Sequence, residues 1–281
     1  MKIVDPYNAN SEKESVTKME KAISEISKWM FNNKLKLNED KTEFLIIGRK
    51  EQTKIITTES LSIGNETVYK VPSAKNLGVI IDSQLEMSLH IQNTCKICYF
   101  HIRQIYKIRR YLTTEATKLL VQATVISRID YCNSLLYGIK QKLLDRLQKV
   151  QNAAARVVTR SYKYDHITPV LKKLHWLPVH YRIVFKLLLL TYKAVNGLAP
   201  PYLSSLLQKK VPVRDLRSNK NDDLTVPNWN LKTCGLRSFS VGAPLEWNKL
   251  PSSVKHSTSV TMFKKRLKTY LFQKAYNLTI S

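Results

Sequence analysis

The period of the hydrophobic residues in this chain changes near residue 82, from mixed short segments to a long helical rhythm. Over 11–31, "SEKESVTKMEKAISEISKWMF", Val16, Met19, Ile23, Ile26 and Met30 recur at steps of three and four. That spacing predicts a helix with one apolar stripe. Ser11 and Glu14 form a capping box at its start. The stretch "TEFLIIG" then reads as a short buried strand closed by Gly48, followed by a polar loop to Ser60. Alternation in "LSIGNETVYKV" around Gly64 and Asn65 predicts a hairpin with a two-residue turn. A strand over 76–82, "NLGVIID", completes one small sheet.

Beyond Asp82 the pattern is helical for more than a hundred residues. Ile91, Cys95, Cys98, Ile102 and Ile105 define one helix by the same spacing. A second is predicted over 114–137 with Gly138 as its stop. A third covers 142–159, with Leu144, Leu147, Val150, Ala154 and Val157 on one side. Pro178 opens the next, which ends at Asn196 and Gly197. From 200 to 251, Pro and Gly punctuate a mixture of short helices, short strands and loops. In "TMFKKRLKTYLFQKAY", Phe263, Leu267, Tyr270 and Leu271 point inward, while Lys264, Lys265, Arg266 and Lys268 point mostly outward. The expected fold class is therefore α+β and mainly α-helical: a small antiparallel sheet, a helical bundle, then a mixed C-terminal region.

Charge narrows the function classes. The 281 residues hold 46 Lys and Arg against 21 Asp and Glu, a formal charge of +25. Such a surplus opposes compact folding through self-repulsion unless a polyanion neutralises it. Nucleic acid is the expected partner, against the plainer reading of a merely basic protein. No membrane span is expected, because the most apolar run, "RIVFKLLLLTYKAV", is short and cut by Lys186 and Lys193. The N-terminus lacks a signal-peptide pattern, so an intracellular place, nucleus or cytoplasm, is expected, with Cys95, Cys98, Cys132 and Cys234 as free thiols. Between 84 and 193 there are 19 Lys and Arg against five acids. Within that stretch the cluster Lys107, Arg109 and Arg110 is the candidate phosphate-binding set.

Two weaker constellations compete. "CKICYFH" spaces Cys95, Cys98 and His101 as zinc ligands often are, but zinc wants four ligands and no second pair follows suitably. Both cysteines also fit the apolar stripe of their helix. His166, His175 and His180, with Asp165, suggest hydrolysis, yet Pro178 breaks the helix that would align the last two and no nucleophile motif accompanies them. Packing is the expected role for these histidines, and for Trp176 and Trp247. No metal site and no cofactor are expected within the chain.

Five blocks together carry a resemblance: "SRIDYCNSLLYG" (127–138), "LQKVQNAAARVVTR" (147–160), "HITPVLKKLHWLPVHYRIVFKLLLLTYKAVNGLAPPYL" (166–203), "GLRSFSVGAPLEWNKLP" (235–251) and "FKKRLKTYLF" (263–272). In order and spacing they resemble the C-terminal third of the polyproteins of Jockey-like non-LTR retrotransposons. The resemblance implies a palm remnant over 1–82, a helical thumb over 83–165 and the element's C-terminal region over 166–281. "SKWMFNNKLKLNEDKTEFLIIG" resembles motif D of their reverse transcriptases, whose lysine is implicated in protonating the leaving pyrophosphate; the role would fall on Lys41. An ammonium there would neutralise charge developing on the leaving group. Equally, Lys41 fits a lysine that solvates a turn.

"VPSAKNLGVIID" resembles motif E, the primer grip, a hairpin on which the primer's 3′ end rests, which would bring Lys75, Asn76 and Gly78 to nucleic acid. Gly78 would allow close backbone approach, or would serve strand packing. The implied partners are an RNA template and a DNA primer, with the rest of the polyprotein as a further partner. The complete parent enzyme uses magnesium held by paired carboxylates. In the family, the Tyr/Phe-Ala-Asp-Asp sequence supplying two of them lies shortly before the segment that "DPYNANSE" matches, and Asp5 stands alone before Pro6. The expectation is a chain that binds template and primer without catalysing synthesis by itself; the alternative is a non-catalytic nucleic-acid-binding or interaction protein derived from a transposable element, or a functionless translated relic.

Overall fold

The apolar stripe of 11–31 does form a helix, α1 (Glu12–Asn32), but of its five members only Ile23 is fully buried. The computed structural model describes residues 12–38, 41–64, 66–210, 222–229 and 234–278, so Ser11 of the expected capping box, Glu39, Asp40 and Asp5 lie outside the described residues. These elements fall into two compact units, Met1–His90 and Ile91–Ser281. The whole is mainly α with a small β part, as the hydrophobic pattern predicts.

In the first unit, carboxylates of α1 reach into the following loops. Glu20 accepts the Ser62 N–H at 2.8 Å, and Glu12 accepts the Thr57 hydroxyl at 3.0 Å and both donors of Thr58. Strands β1 (Ser60–Ile63) and β2 (Glu66–Tyr69) pair antiparallel with Ile63 opposite Glu66, the register of the expected hairpin, while Asn65 of its expected turn lies outside the described residues.

Two expectations for this unit require correction. Residues 42–48 make no strand: Phe44 forms a single bridge to Lys70. The segment's backbone groups go to separate partners, Val71 N–H to the Phe44 carbonyl at 2.8 Å and Gly48 N–H to the Ser83 carbonyl at 3.0 Å. With its bonds so divided, the segment lies extended without a ladder. A short helix, α2 (Lys50–Ile55), occupies the expected polar loop. Nor is there one sheet: β3 (Ser73–Asn76) and β4 (Val79–Asp82) form a second hairpin of their own. Leu77 (φ 46°) and Gly78 (φ 84°) make its turn. A leucine in that left-handed position is uncommon, which is why the segment reads as a continuous strand.

The second unit begins within α3 (Ser88–Ile108), whose stripe Ile91, Cys95, Cys98, Ile102 and Ile105 is buried throughout. The single helix expected over 114–137 is instead three pieces. α4 (Thr114–Val121) widens into a π turn at Gln122–Ile126, and α5 (Ser127–Asp130) ends where Tyr131 turns extended and Cys132 takes φ 51°. The π turn exposes the Val125 carbonyl, which accepts the Cys98 thiol at 3.8 Å. α6 (Gln141–Thr159) buries Leu144, Leu147, Val150, Ala154 and Val158. Its Val157, expected on the core side, is only half-buried.

After α7 (Ile167–Lys173), α8 (Val179–Val195) starts behind Pro178 as its sequence predicts. Short helices α9 (Pro201–Ser204), α10 (Cys234–Arg237), α11 (Phe239–Trp247) and α12 (Ser252–Lys255) lead to α13 (Val260–Ala275). Trp247, Phe263, Leu267 and Leu271 pack with Val184, Leu188 and Tyr192, and the Tyr192 and Phe263 rings stack at 4.1 Å.

Buried and half-buried polar groups brace this core. Gln151 donates to the Leu177 carbonyl at 2.9 Å, Gln148 accepts the Val179 N–H at 2.9 Å, and Tyr276 donates to the Trp176 carbonyl at 2.6 Å. Arg182 pairs with Asp130 at 2.8 Å. Tyr137 donates to Glu246 at 3.0 Å and lies so close to Gly242 that a Cβ there would meet its ring at 2.6 Å. Helices from both sides of residue 165 thus share one core. Among the described residues no helix is long and apolar enough to cross a membrane.

Candidate nucleic-acid interface

Along α3, Tyr99, Ile102, Arg103, Tyr106 and Lys107 follow the steps three, one, three and one, so they occupy one face of the helix. Lys149, Asn152, Ala153, Arg156 and Val157 repeat the same steps on α6. These two faces, with Ser161, Tyr162 and Lys163 from the chain after α6, enclose an open groove of about 890 Å³. Five of its lining residues are cationic, three are tyrosines and none is acidic. Ile102, Ala153 and Val157 supply aliphatic surface between the charges. Burial raises the pKa of the Tyr99 phenol, with a smaller contribution from Cys95, so Tyr99 adds no negative charge.

Sequence and packing together explain why the groove stays open. The buried stripe of α6 turns Leu147, Val150, Ala154 and Val158 into the core, and the groove face lies one step around the helix. At its C-terminus α6 closes with Arg160 at φ 57°. Arg156 then ties down the following loop, donating to the carbonyls of Tyr162 at 3.1 Å and Asp165 at 3.1 Å. The Asp165 carboxylate accepts the Tyr162 N–H at 2.7 Å. The backbone of Tyr162 is thereby held at the rim, and the residue is 80% exposed.

The residues expected from sequence part company here. Lys107 is exposed and lines the groove. Arg110 is exposed too, its guanidinium 4.6 Å from the Tyr111 ring centroid, on the short turn Arg109–Tyr111 that follows α3. Arg109, expected to bind phosphate, is instead buried. Its guanidinium donates to the carbonyls of Val157 at 2.8 Å, Val158 at 2.9 Å and Leu112 at 2.7 Å. Val157 and Val158 are in the last turn of α6, where carbonyls have no partner within the helix. Arg109 therefore caps α6 and pins the end of α3 to it, which sets the groove rather than lining it. Arg103, Lys149, Arg156, Lys163 and the tyrosines were not singled out by sequence. Reading the α3 face at 99, 103, 106 and 107, beside the apolar stripe, is the signal that finds the first of them.

In the first unit, Lys41 is exposed, and its backbone N–H meets the Asn38 side chain at 3.1 Å. Two residues on, Glu43 accepts the Lys75 N–H at 3.1 Å, joining the segment after Lys41 to the β3–β4 hairpin. The Lys75 side chain is exposed, Asn76 is half-buried, and Gly78 sits in the hairpin turn.

The other constellations take structural places. Cys95 and Cys98 face the core, and burial, with Cys95 nearby, pushes the Cys98 thiol up to about 12. His175 lies 5.7 Å from the Phe272 ring centroid, and His180 packs edge-on to Tyr181 at 5.3 Å. Trp176 and Trp247 are buried, as expected. Among the described residues no group of three or more His, Cys, Asp or Glu is placed to hold a metal ion. Compared with known protein families, with curated proteins and with solved structures, the chain matches none.

Proposed function

We propose that this chain grips nucleic acid through the α3–α6 groove, as the C-terminal part of a non-LTR retrotransposon reverse transcriptase. The observation that carries the binding is the groove lining itself: Arg103, Lys107, Lys149, Arg156 and Lys163 with no carboxylate among them. Phosphate contacts from such a set supply affinity without sequence preference. The retrotransposon reading rests on the five blocks, which pack against one another. Tyr137 of the first block meets Gly242 and Glu246 of the fourth, Gln148 and Gln151 of the second hold the turn around Pro178 of the third, and Asp130 pairs with Arg182.

In this reading Lys41 and the hairpin of Lys75, Asn76 and Gly78 belong to the palm, and the chain holds template and primer without extending the strand by itself. Trp29, Phe31 and Leu35, exposed in the first unit, suit contact with further polypeptide of the same parent. The test is binding of the purified chain to primed RNA template across a salt series. Affinity falling steeply with salt, without magnesium-dependent extension, is the expected result. Salt-independent binding, no binding, or extension by the chain alone contradicts it.

A further inference from the structure

We infer that the α3–α6 groove takes single-stranded nucleic acid, with unstacked bases against Tyr106 and Tyr162 and phosphates along the cationic rims. The inference rests on the proposed nucleic-acid binding and names the part of a primed template that this groove accepts, the unpaired strand rather than the paired primer. A duplex presents phosphates outward and keeps its bases stacked inside. A groove made for that surface alone needs cations and polar groups, and apolar surface within it gains nothing. This groove has both kinds of surface.

Ile102 is buried beneath it, and Ala153 and Val157 are half-buried between the rims. Tyr106 is 70% exposed and stands one residue from Lys107, while Tyr162, 80% exposed, stands one residue from Lys163. Aromatic faces interleaved with cations in a groove are what a single strand needs. Every base offers a face for stacking whatever its identity, and the backbone follows the charges. The backbone at Tyr162 is also held, because Arg156 and Asp165 bond to its loop. A loop so fixed has less backbone freedom to lose on binding.

The experiment is fluorescence anisotropy of the full chain with a labelled oligonucleotide of mixed sequence. It is presented as single-stranded RNA, as single-stranded DNA and as the corresponding duplexes. Both single strands bind more tightly than the duplexes. Tyr106→Ala and Tyr162→Ala each lower single-strand affinity by about fivefold or more, leave duplex affinity and the salt slope unchanged, and are restored by Phe at the same position. Both rings are exposed, so the alanine variants keep the thermal transition of the parent chain.

Duplex preference, or alanine variants that bind single strands as the parent does, overturns the inference while leaving salt-dependent binding intact. Absence of binding to all four probes overturns both it and the proposed function.

Discussion

The two units are held together by different means. Among its described residues the first unit buries six apolar side chains completely, Ile23, Ile46, Leu61, Ile63, Val79 and Met87. Helix α8 of the second unit buries more than that alone: Val179, Ile183, Val184, Leu187, Leu188, Leu189, Tyr192 and Ala194. In the first unit, hydrogen bonds from Glu12, Glu20 and Glu43 to loop and strand backbone do much of the joining. Exposed bonds of this kind contribute about 1 kcal/mol each or less. In the second, an aromatic and aliphatic core is crossed by buried and half-buried polar braces. The lesson is that a rigid groove needs the second kind of support, and the α3–α6 groove has it.

The largest effect that tests this contrast is loss of a core anchor. Phe263→Ala, at a fully buried ring stacked on Tyr192, is expected to cost about 3–5 kcal/mol in chemical denaturation. Ile23→Ala in the first unit costs about 2 kcal/mol, the low end for such a truncation, because its neighbours on α1 are already half exposed. Limited proteolysis of the parent chain should cut within 1–90 before it cuts the helical core. Equal resistance of the two units breaks the comparison.

Next in size is the division between Arg109 and Lys107. Arg109→Ala leaves the carbonyls of Val157, Val158 and Leu112 without their donor, and a loss of about 2–3 kcal/mol is expected in the same denaturation assay. Lys107→Ala leaves the unfolding transition in place. It instead flattens the dependence of single-strand affinity on salt by about 0.7 in log–log slope. If the two substitutions behave alike in both assays, the assignment of one to support and the other to contact fails.

A smaller effect concerns alkaline pH. Burial raises the Cys98 thiol to about 12 and the Tyr276 phenol to about 12. The folded chain keeps protons that the unfolded chain gives up near 9 for the thiol and near 10 for the phenol. Their contribution is therefore complete below about pH 9 and is lost as pH climbs toward 12. Denaturation midpoints measured from pH 8 to 11 should fall, and less steeply in Cys98→Ala than in the parent chain. A flat profile would contradict the burial of these groups.

Much of the second unit was legible in the sequence, because amphipathic stripes such as 91–105 and 263–271 carry their own period. What escaped reading was set by contacts between distant residues. The break at Cys132 lets Tyr137 reach Gly242 and Glu246, more than a hundred positions away. Arg109 reads as a surface cation beside Lys107 and Arg110, and only the carbonyls at the end of α6 draw it inward. In the first unit, Leu77 at the hairpin turn hides a reversal that Asn or Asp before Gly would have announced. The groove itself needed two helices to be brought together, although each helix wrote its half of the lining at the same three-and-one spacing.

The central claim is that nucleic acid lies in the α3–α6 groove. Photo-crosslinking of a labelled single strand to the purified chain, followed by peptide mass spectrometry, tests it most directly. The account predicts adducts at Tyr99, Tyr106 and Tyr162, diminished by high salt. Adducts confined to residues outside that groove, or adducts indifferent to salt, would contradict it.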